Sequence, residues 1–291
     1  MNFTRRMITL ALVVLALPLV VSAQQRSVAP NSHSWGSYHW ARTANPFTVK
    51  LGDNVGSAWD AYLTTASSDW TQSVVLNTTI VAGQSNNNCR MTLGRVEVCA
   101  RTYGNNGWLG LASINISGNH ITQGSVKMND TYFNTSTYNN PNERLHVMCQ
   151  EVGHTFGLDH QSTDGSSQNT CMDYFSNTGA NAGSTLSTHP NAHDYSQLST
   201  IYSHLDSTNT AFIVAGGIAA DSIPAMGEIA FDGPGQWGVE VERSQDGRFS
   251  TFVLDFGADR RVITFVTWAD DATDEDGQPR VQGPRVRTQE P

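Results

Sequence analysis

The chain has 291 residues, which is enough for one domain with a sizeable core and a smaller appendage. Its composition is ordinary for a globular protein, with 38% hydrophobic residues and a formal net charge of -9. An acidic chain without a basic cluster in its predicted core has little to attract phosphates, so we do not expect nucleic acid among its partners.

The N-terminus has the pattern of a secretory signal. Two arginines precede an apolar run over residues 7–21, and Val21-Ser22-Ala23 supplies the small residues of a cleavage site. The run is shorter than the ~20 residues that span a bilayer, so a removed signal peptide over residues 1–23 is favoured over a membrane anchor. We therefore expect a secreted, extracellular protein without a stable membrane span. Residues 24–37 are interpreted as a short pro-segment or a flexible arm.

The chain has four cysteines, which in an exported protein indicate two disulfides. Four cysteines allow three connectivities. We favour Cys89 with Cys99, which closes a short polar loop, and Cys149 with Cys171, which would tie a predicted helix to a later segment. An even number of cysteines argues against a free reactive thiol.

From residue 38 the pattern becomes that of a globular domain. Alternating apolar residues predict strands, and apolar residues at helical spacing, beginning with Trp59, Tyr62 and Leu63, predict a helix. The predicted strands cover residues 47–51, 74–81, 95–100, 108–116 and 121–128, and the helix covers residues 58–73. The first half of the chain is therefore expected to form a sheet with a long helix packed on it.

A second helix begins near Asn140, which can act as the N-cap. Pro141 suits the first helical position, and Glu143 stands where a capping-box carboxylate reaches back to the cap. Gly157 supplies the left-handed turn that ends this helix. A third helix is predicted over residues 191–205.

The composition changes after residue 206. Residues 207–232 lack periodicity and are interpreted as a linker, and residues 270–291 are interpreted as a disordered tail. Between them, residues 233–269 contain three predicted strands, which we expect to form a small β-strand appendage that needs a surface to lean on. The fold class is thus predicted as α+β, with one main domain over residues 38–206.

The end of the second helix has the spacing of a metal site. Gln150 and His154 are four residues apart and project from one helix face, and Glu151 lies about 60° around the axis from His154. Once Gly157 has ended the helix, His160 can turn back toward the same point. Three protein ligands and an open position for water are what a catalytic Zn²⁺ requires.

This segment resembles the extended zinc signature of the metzincin metallopeptidases, His-Glu-x-x-His followed by Gly and a third His. Glu151, His154, Gly157 and His160 match it, and the segment that contains Met172 resembles the Met-turn of the family. The resemblance covers residues 38–206 and is closest to the secreted bacterial snapalysin-like and matrixin-like members. It implies a zincin fold: a twisted mixed sheet with a long helix, then the zinc helix, the Met-turn and a C-terminal helix.

One position departs from the signature, because Gln150 stands where the family has its first histidine. A neutral amide oxygen is a weaker zinc ligand than imidazole. His146 cannot replace it, since eight residues of helix place it about 12 Å from His154. Asp159 adjoins His160 and would point away from a metal bound there. Gln150 through its side-chain oxygen, or a water in its place, is therefore the expected third ligand.

The resemblance also implies roles for the remaining residues. Glu151 would act as general base and acid on a metal-activated water, and Tyr174 would stabilise the oxyanion. Met172 would support the metal from below without binding it. The fourth strand would be an edge strand that pairs with an extended substrate. The residues of this strand that would pair with the substrate are Trp108, Leu109, Gly110, Leu111 and Ala112.

Two functional hypotheses follow. The first is a secreted, monomeric, zinc-dependent endopeptidase that hydrolyses extended protein or peptide substrates. The second, motivated by Gln150, is a catalytically weak or inactive metzincin-fold protein that binds peptides or surfaces. His189 and His193 are interpreted as part of a helix start, and His120 is given no role.

Overall fold

The computed structural model describes residues 33–84, 88–162, 164–211, 229–273 and 277–280. The predicted signal peptide and the end of the predicted tail lie outside these ranges. Within them, none of the helices is long and apolar enough to cross a lipid bilayer.

The described residues form a mixed sheet of nine strands with four α-helices. The strands are β1 (His39–Trp40), β2 (Phe47–Asn54), β3 (Leu76–Ala82), β4 (Val96–Arg101), β5 (Trp108–Ser117), β6 (His120–Asn129), β7 (Val239–Arg243), β8 (Phe249–Gly257) and β9 (Arg260–Trp268). The helices are α1 (Asp60–Trp70), α2 (Asp130–Phe133), α3 (Pro141–His154) and α4 (Ala192–Ile201). The predicted α+β class is confirmed, and each predicted strand and helix has a counterpart.

The sheet has a parallel half and an antiparallel half. Its order is β3-β2-β4-β6-β5-β9-β8-β7, with β1 paired to the first residues of β6. The neighbouring strands β3, β2, β4 and β6 pair in parallel. From β6 onward, through β5, β9 and β8 to β7, neighbouring strands pair antiparallel. Strand β5 therefore lies inside the sheet, between β6 and β9.

The main core lies between the sheet and the helices α1, α3 and α4. Trp40, Trp59 and Trp70 are fully buried in it. The indole nitrogen of Trp70 donates to the carbonyl of Cys149, 3.1 Å away, which ties α1 to α3. Removing a side chain of this size from a core costs about 3–5 kcal/mol. The position of α3 is thus set by large aromatic contacts.

The C-terminal strands, predicted as a small appendage that leans on another surface, continue the main sheet by strand pairing. Strand β9 pairs with β5 along its whole length, from Trp108 opposite Trp268 to Ser117 opposite Arg260. A second hydrophobic core is shared by β5, β8, β9 and the preceding segment, and it includes Trp108, Leu111, Phe231, Trp237 and Trp268. The reason is that β5 has apolar residues on both faces, and these strands bury its second face.

Described residues on both sides of the predicted domain also belong to the core. Trp35 donates its backbone N–H to the carbonyl of Gly157 at 3.1 Å, so residues 33–37 are not a flexible arm. Ala272 is buried, and the guanidinium of Arg280 lies 4.3 Å from the Trp268 ring centroid. Residues 270–273 and 277–280 therefore pack on the sheet and are not a disordered tail.

The predicted disulfides are both present, with Cα–Cα distances of 6.1 Å for Cys89–Cys99 and 5.9 Å for Cys149–Cys171. The second bond connects α3 to the segment before Met172. It fixes two parts of the candidate site relative to each other.

Candidate functional site

The sequence signals at the start of α3 fix the register of the site. The Asn140 side chain accepts a hydrogen bond from the backbone N–H of Glu143 at 2.8 Å, as expected of the N-cap. The Glu143 carboxylate does not reach back to the cap. It is buried and instead accepts from the backbone N–H of Asn177 at 2.7 Å, because the long loop after Met172 folds over this helix. Gly157 has a φ of 92°, the left-handed conformation predicted for it.

His154 and His160 face each other, with their Nε2 atoms 3.1 Å apart. The Nδ1 of His154 lies 2.9 Å from the carbonyl oxygen of Leu158, and the Nδ1 of His160 lies 3.3 Å from an Asp159 oxygen. The Nδ1 atom of each ring thus faces an acceptor. This places the ring protons on the Nδ1 atoms and leaves the lone pairs on the two facing Nε2 atoms. Two lone pairs at this distance repel unless a proton or a cation lies between them.

The His154 ring is in the neutral form, which is compatible with a bound cation. Burial, with the nearby His160 as a smaller cause, lowers the pKa of His154 to about 3. Its imidazole is therefore neutral at pH 7, which is the form that binds metals. The two histidines fit a divalent ion such as Zn²⁺.

Glu151 is buried one helical turn before His154 on α3. One carboxylate oxygen accepts from the Thr267 hydroxyl at 2.7 Å, and the other has no hydrogen-bond partner among the described residues. Burial raises the pKa of Glu151 to about 8, although the Thr267 hydrogen bond opposes the shift. A carboxyl group with this pKa is mostly protonated at pH 7, so only its ionised fraction, which grows as the pH rises, can accept a proton and return it.

The amide of Gln150 is held at both ends. Its Nε2 donates to the carbonyl of Asp173 at 2.9 Å, and its Oε1 lies 3.2 Å from the Thr267 hydroxyl oxygen. Within the described ranges, the histidine pair is not part of any group of three His, Cys, Asp or Glu ligand atoms within 4.8 Å of one another. A third protein ligand would thus have to be of another type, such as this amide oxygen.

Met172 and Tyr174 lie next to these groups. A Cβ added to Gly153 would come within 2.6 Å of Met172 Sδ and of a ring carbon of Trp70, so the helix needs glycine there. The ring centroid of Tyr174 is 4.4 Å from that of His160. Burial raises the pKa of Tyr174, which keeps its hydroxyl protonated. Sequence reasoning did not single out Gly153, although a glycine inside a helix is the signal for such a close approach.

The C-terminal hairpin, defined here as β8 and β9, covers the site. The Phe265 ring stacks on His154 with a centroid distance of 4.1 Å, and Phe249 stacks on Tyr174 at 4.0 Å. Thr267 from the same hairpin binds Glu151. The site is therefore built from both halves of the chain.

This arrangement corrects the prediction that residues 108–112 form a free substrate-binding edge. Leu111 is paired with Lys127 of β6 on one side and with Val266 of β9 on the other. The residues concerned, Trp108, Leu109, Gly110, Leu111 and Ala112, are all buried. A Cβ on Gly110 would lie 2.7 Å from a Glu151 oxygen, so this glycine lets α3 approach β5.

The other histidines considered from the sequence lie elsewhere. His146 is buried against the Asn177 side chain, with 3.0 Å between Nδ1 and Oδ1. His189 pairs with Asp69 and His193 stacks on His33. His120 lies near Asp206 in a second cluster with His39 and His204, which sequence reasoning missed.

Comparisons with known proteins give little further information. No protein-family model matches the chain, and no curated protein is similar to it in sequence. Among solved structures, it is similar to high choriolytic enzyme 1, a hatching enzyme zinc-protease from the medaka fish Oryzias latipes. The TM-score is 0.32 at 12% identity, over 58% of this chain and 96% of the other. A likeness this weak carries no inference about activity.

Proposed function

We propose that this chain is a secreted, zinc-dependent endopeptidase. The observation that carries the proposal is the pair of facing imidazoles of His154 and His160, whose Nε2 atoms lie 3.1 Å apart, with the buried Glu151 one helical turn before His154. His154 and His160 would hold the ion, with the Gln150 amide oxygen or a water as a further ligand. The two disulfides fit an oxidising, extracellular environment.

A Zn²⁺ ion at this position would polarise the carbonyl group of a substrate peptide bond. Glu151 would take the proton of the attacking water on its unpaired oxygen and pass it to the nitrogen of the leaving amine. The hydroxyl of Tyr174 would donate a hydrogen bond to the oxyanion, since its raised pKa keeps the proton on it. Met172 would serve as an apolar support.

Substrate access depends on the C-terminal hairpin. An extended polypeptide can pair with β5 only after β9 has left it, because both edges of β5 are occupied. The hairpin also places Phe265 on His154 and Thr267 on Glu151, so its departure would expose the ligand and the base together. We expect the described conformation to be the closed form of the peptidase.

The proposal is tested by cleavage of casein with the full secreted chain, before and after chelation. We expect cleavage that stops on chelation, returns with Zn²⁺, and falls by at least about 100-fold in Glu151→Gln, the usual contribution of a general base. Asp60→Asn, which makes the same carboxylate-to-amide change at an exposed position at the start of α1, is the control. Chelator-resistant cleavage, or full activity in Glu151→Gln, would refute the proposed mechanism.

A second candidate function is a non-catalytic peptide-binding protein. It is favoured by the Gln150 amide, both of whose polar atoms already have protein partners. In that case the protein would show no cleavage with any divalent metal, and restoring the histidine with Gln150→His would not create activity. A gain of cleavage in that variant would instead favour the peptidase.

A further inference from the structure

A second set of metal-ligand atoms lies where β1 meets the segment that follows α4. The Nε2 of His39 is 3.2 Å from the Nε2 of His204 and 3.3 Å from Oδ1 of Asp206. The remaining distance, from His204 Nε2 to Asp206 Oδ1, is 3.6 Å. In the described part of the chain, this is the one set of three such atoms within 4.8 Å of one another.

These distances match the edges of a zinc coordination tetrahedron. With zinc–nitrogen and zinc–oxygen bonds of about 2.0–2.2 Å, the ligand atoms lie about 3.3–3.5 Å apart. Two imidazole nitrogens and one carboxylate oxygen are also a donor set that Zn²⁺ commonly takes. The three atoms therefore form one face of a site of the right size.

The orientation of His39 leaves its Nε2 atom without a proton. Its Nδ1 lies 2.7 Å from the carbonyl oxygen of Ser37, which can only accept, so Nδ1 carries the proton of the neutral ring. Its Nε2 then presents a lone pair to the Asp206 carboxylate. Such a contact is unfavourable unless a cation lies between the two atoms or the ring gains a second proton.

Asp206 is held in place by a second partner, as metal-binding carboxylates usually are. Its Oδ2 accepts from the guanidinium of Arg42 at 2.7 Å and from the Arg42 backbone N–H at 3.2 Å. The same fully buried guanidinium donates to the carbonyl of His204. Arg42 thus fixes two of the three ligands and leaves Oδ1 to the histidines.

The site can be reached from solvent. The His204 side chain is 53% exposed, while His39 is buried behind it. His120, at the start of β6, places its Nε2 3.3 Å from the same Oδ1 and is the nearest candidate for a fourth ligand. An ion could enter past His204 without any rearrangement of the core.

We propose that His39, His204 and Asp206 bind a divalent transition-metal ion, best matched by Zn²⁺, with His120 or a water in the fourth position. The ion would join segments that are 165 residues apart in the chain. An ion that binds only the folded state stabilises that state, so the role we assign to this ion is structural. The proposal does not depend on peptidase activity.

The test is the zinc content of two matched single variants, His204→Ala and His189→Ala. Both side chains are about half exposed, at 53% and 52%, so both variants should fold. Each full-length protein is stripped with chelator, incubated with Zn²⁺ at pH 8, desalted and analysed for bound metal. We expect His204→Ala to hold one zinc fewer per chain than His189→Ala, whether or not the His154–His160 pair is occupied.

Thermal unfolding gives an independent measurement. Zinc at about 100 times its dissociation constant should raise the Tm of the His189→Ala variant by roughly 5 °C or more through this site. The rise in His204→Ala should be smaller by that amount. Equal zinc content in the two variants would overturn the proposal and indicate an imidazolium–carboxylate cluster without a metal ion.

Discussion

Two pairs of histidines in this molecule have nearly the same geometry and very different surroundings. Their Nε2 atoms lie 3.1 Å apart in His154 and His160, and 3.2 Å apart in His39 and His204. In each pair, the Nδ1 atom of one histidine donates a hydrogen bond to a backbone carbonyl oxygen. Ligand spacing alone therefore does not tell which of the two proposed metal sites would be catalytic.

The neighbouring groups make the difference. The first pair has Glu151 one helical turn before His154, with one carboxyl oxygen that has no hydrogen-bond partner among the described residues, and an aromatic ring of the C-terminal hairpin stacked on His154. The second pair has a carboxylate already bound to Arg42, and one of its members is exposed to solvent. A carboxyl group with one oxygen free of hydrogen bonds suits proton transfer, whereas a fixed carboxylate suits permanent coordination. We therefore expect catalysis only at the first pair.

The largest expected effect is on the rate of cleavage, and it differs between the two histidine pairs. His154→Ala should lower casein cleavage by at least about 100-fold, because it removes a ligand of the catalytic ion. His204→Ala should leave the rate at 25 °C within about threefold of the original protein, since it alters only the structural ion. Initial rates at equal folded concentration provide the measurement. Similar losses in both variants would contradict the division of roles.

The next prediction concerns the hairpin that covers the first pair. Ser113 and Thr264 lie opposite each other on β5 and β9, with hydroxyl oxygens 2.9 Å apart. A disulfide formed between Ser113→Cys and Thr264→Cys should hold β9 in place and lower cleavage by about tenfold or more. Ser113→Cys alone is the control.

Reduction of that cross-link should restore cleavage, with intact native disulfides checked by peptide mapping. A cross-linked protein that cleaves casein at the original rate would show that substrate reaches His154 without displacement of β9.

A smaller effect, a gain in zinc affinity, is expected from a substitution of Gln150. Gln150→His should increase zinc affinity at the first pair by about 10-fold or more, because imidazole is a stronger zinc ligand than an amide. The new ring also loses the hydrogen bond that the amide donates to Asp173, which limits the gain. Competition with a chromophoric chelator measures the affinity. The zinc content at His204 should not change.

The smallest expected effect is on stability. Gly153→Ala places a Cβ within 2.6 Å of both Met172 Sδ and Trp70, so we expect a loss of about 1–3 kcal/mol in the free energy of unfolding. Gly183→Ala, with no atom within 4 Å of the added Cβ, is the control. Urea unfolding checks both. An unchanged midpoint for Gly153→Ala would show that the Met172 segment moves freely beneath α3.

The sequence allowed the local features of the first pair to be predicted. Asn140 and Pro141 mark the helix start, and the spacing from Glu151 to His160 depends only on the helix and its glycine stop. The second pair could not be predicted in this way. His39 and His204 are 165 residues apart, and no spacing rule connects residues that only the folded sheet brings together.

The same limit explains the errors about β5 and Glu143. The partner of β5 is a strand about 150 residues later, as shown by the separation of 151 between Ser113 and Thr264. Glu143 has the right position for a capping box, but a loop from farther along the chain supplies a stronger partner in Asn177. In both cases a distant segment overrode a correct local signal.

The position of β9 next to β5 has a consequence for how the protein folds. One side of β5 stays unpaired until β9 has been synthesised, because this partner comes about 150 residues later. Contacts of such long range form slowly, since much chain entropy is lost before they contribute. We expect refolding to begin in the parallel half of the sheet and to end when β8 and β9 dock, which pulsed hydrogen exchange would detect as late protection of their amides.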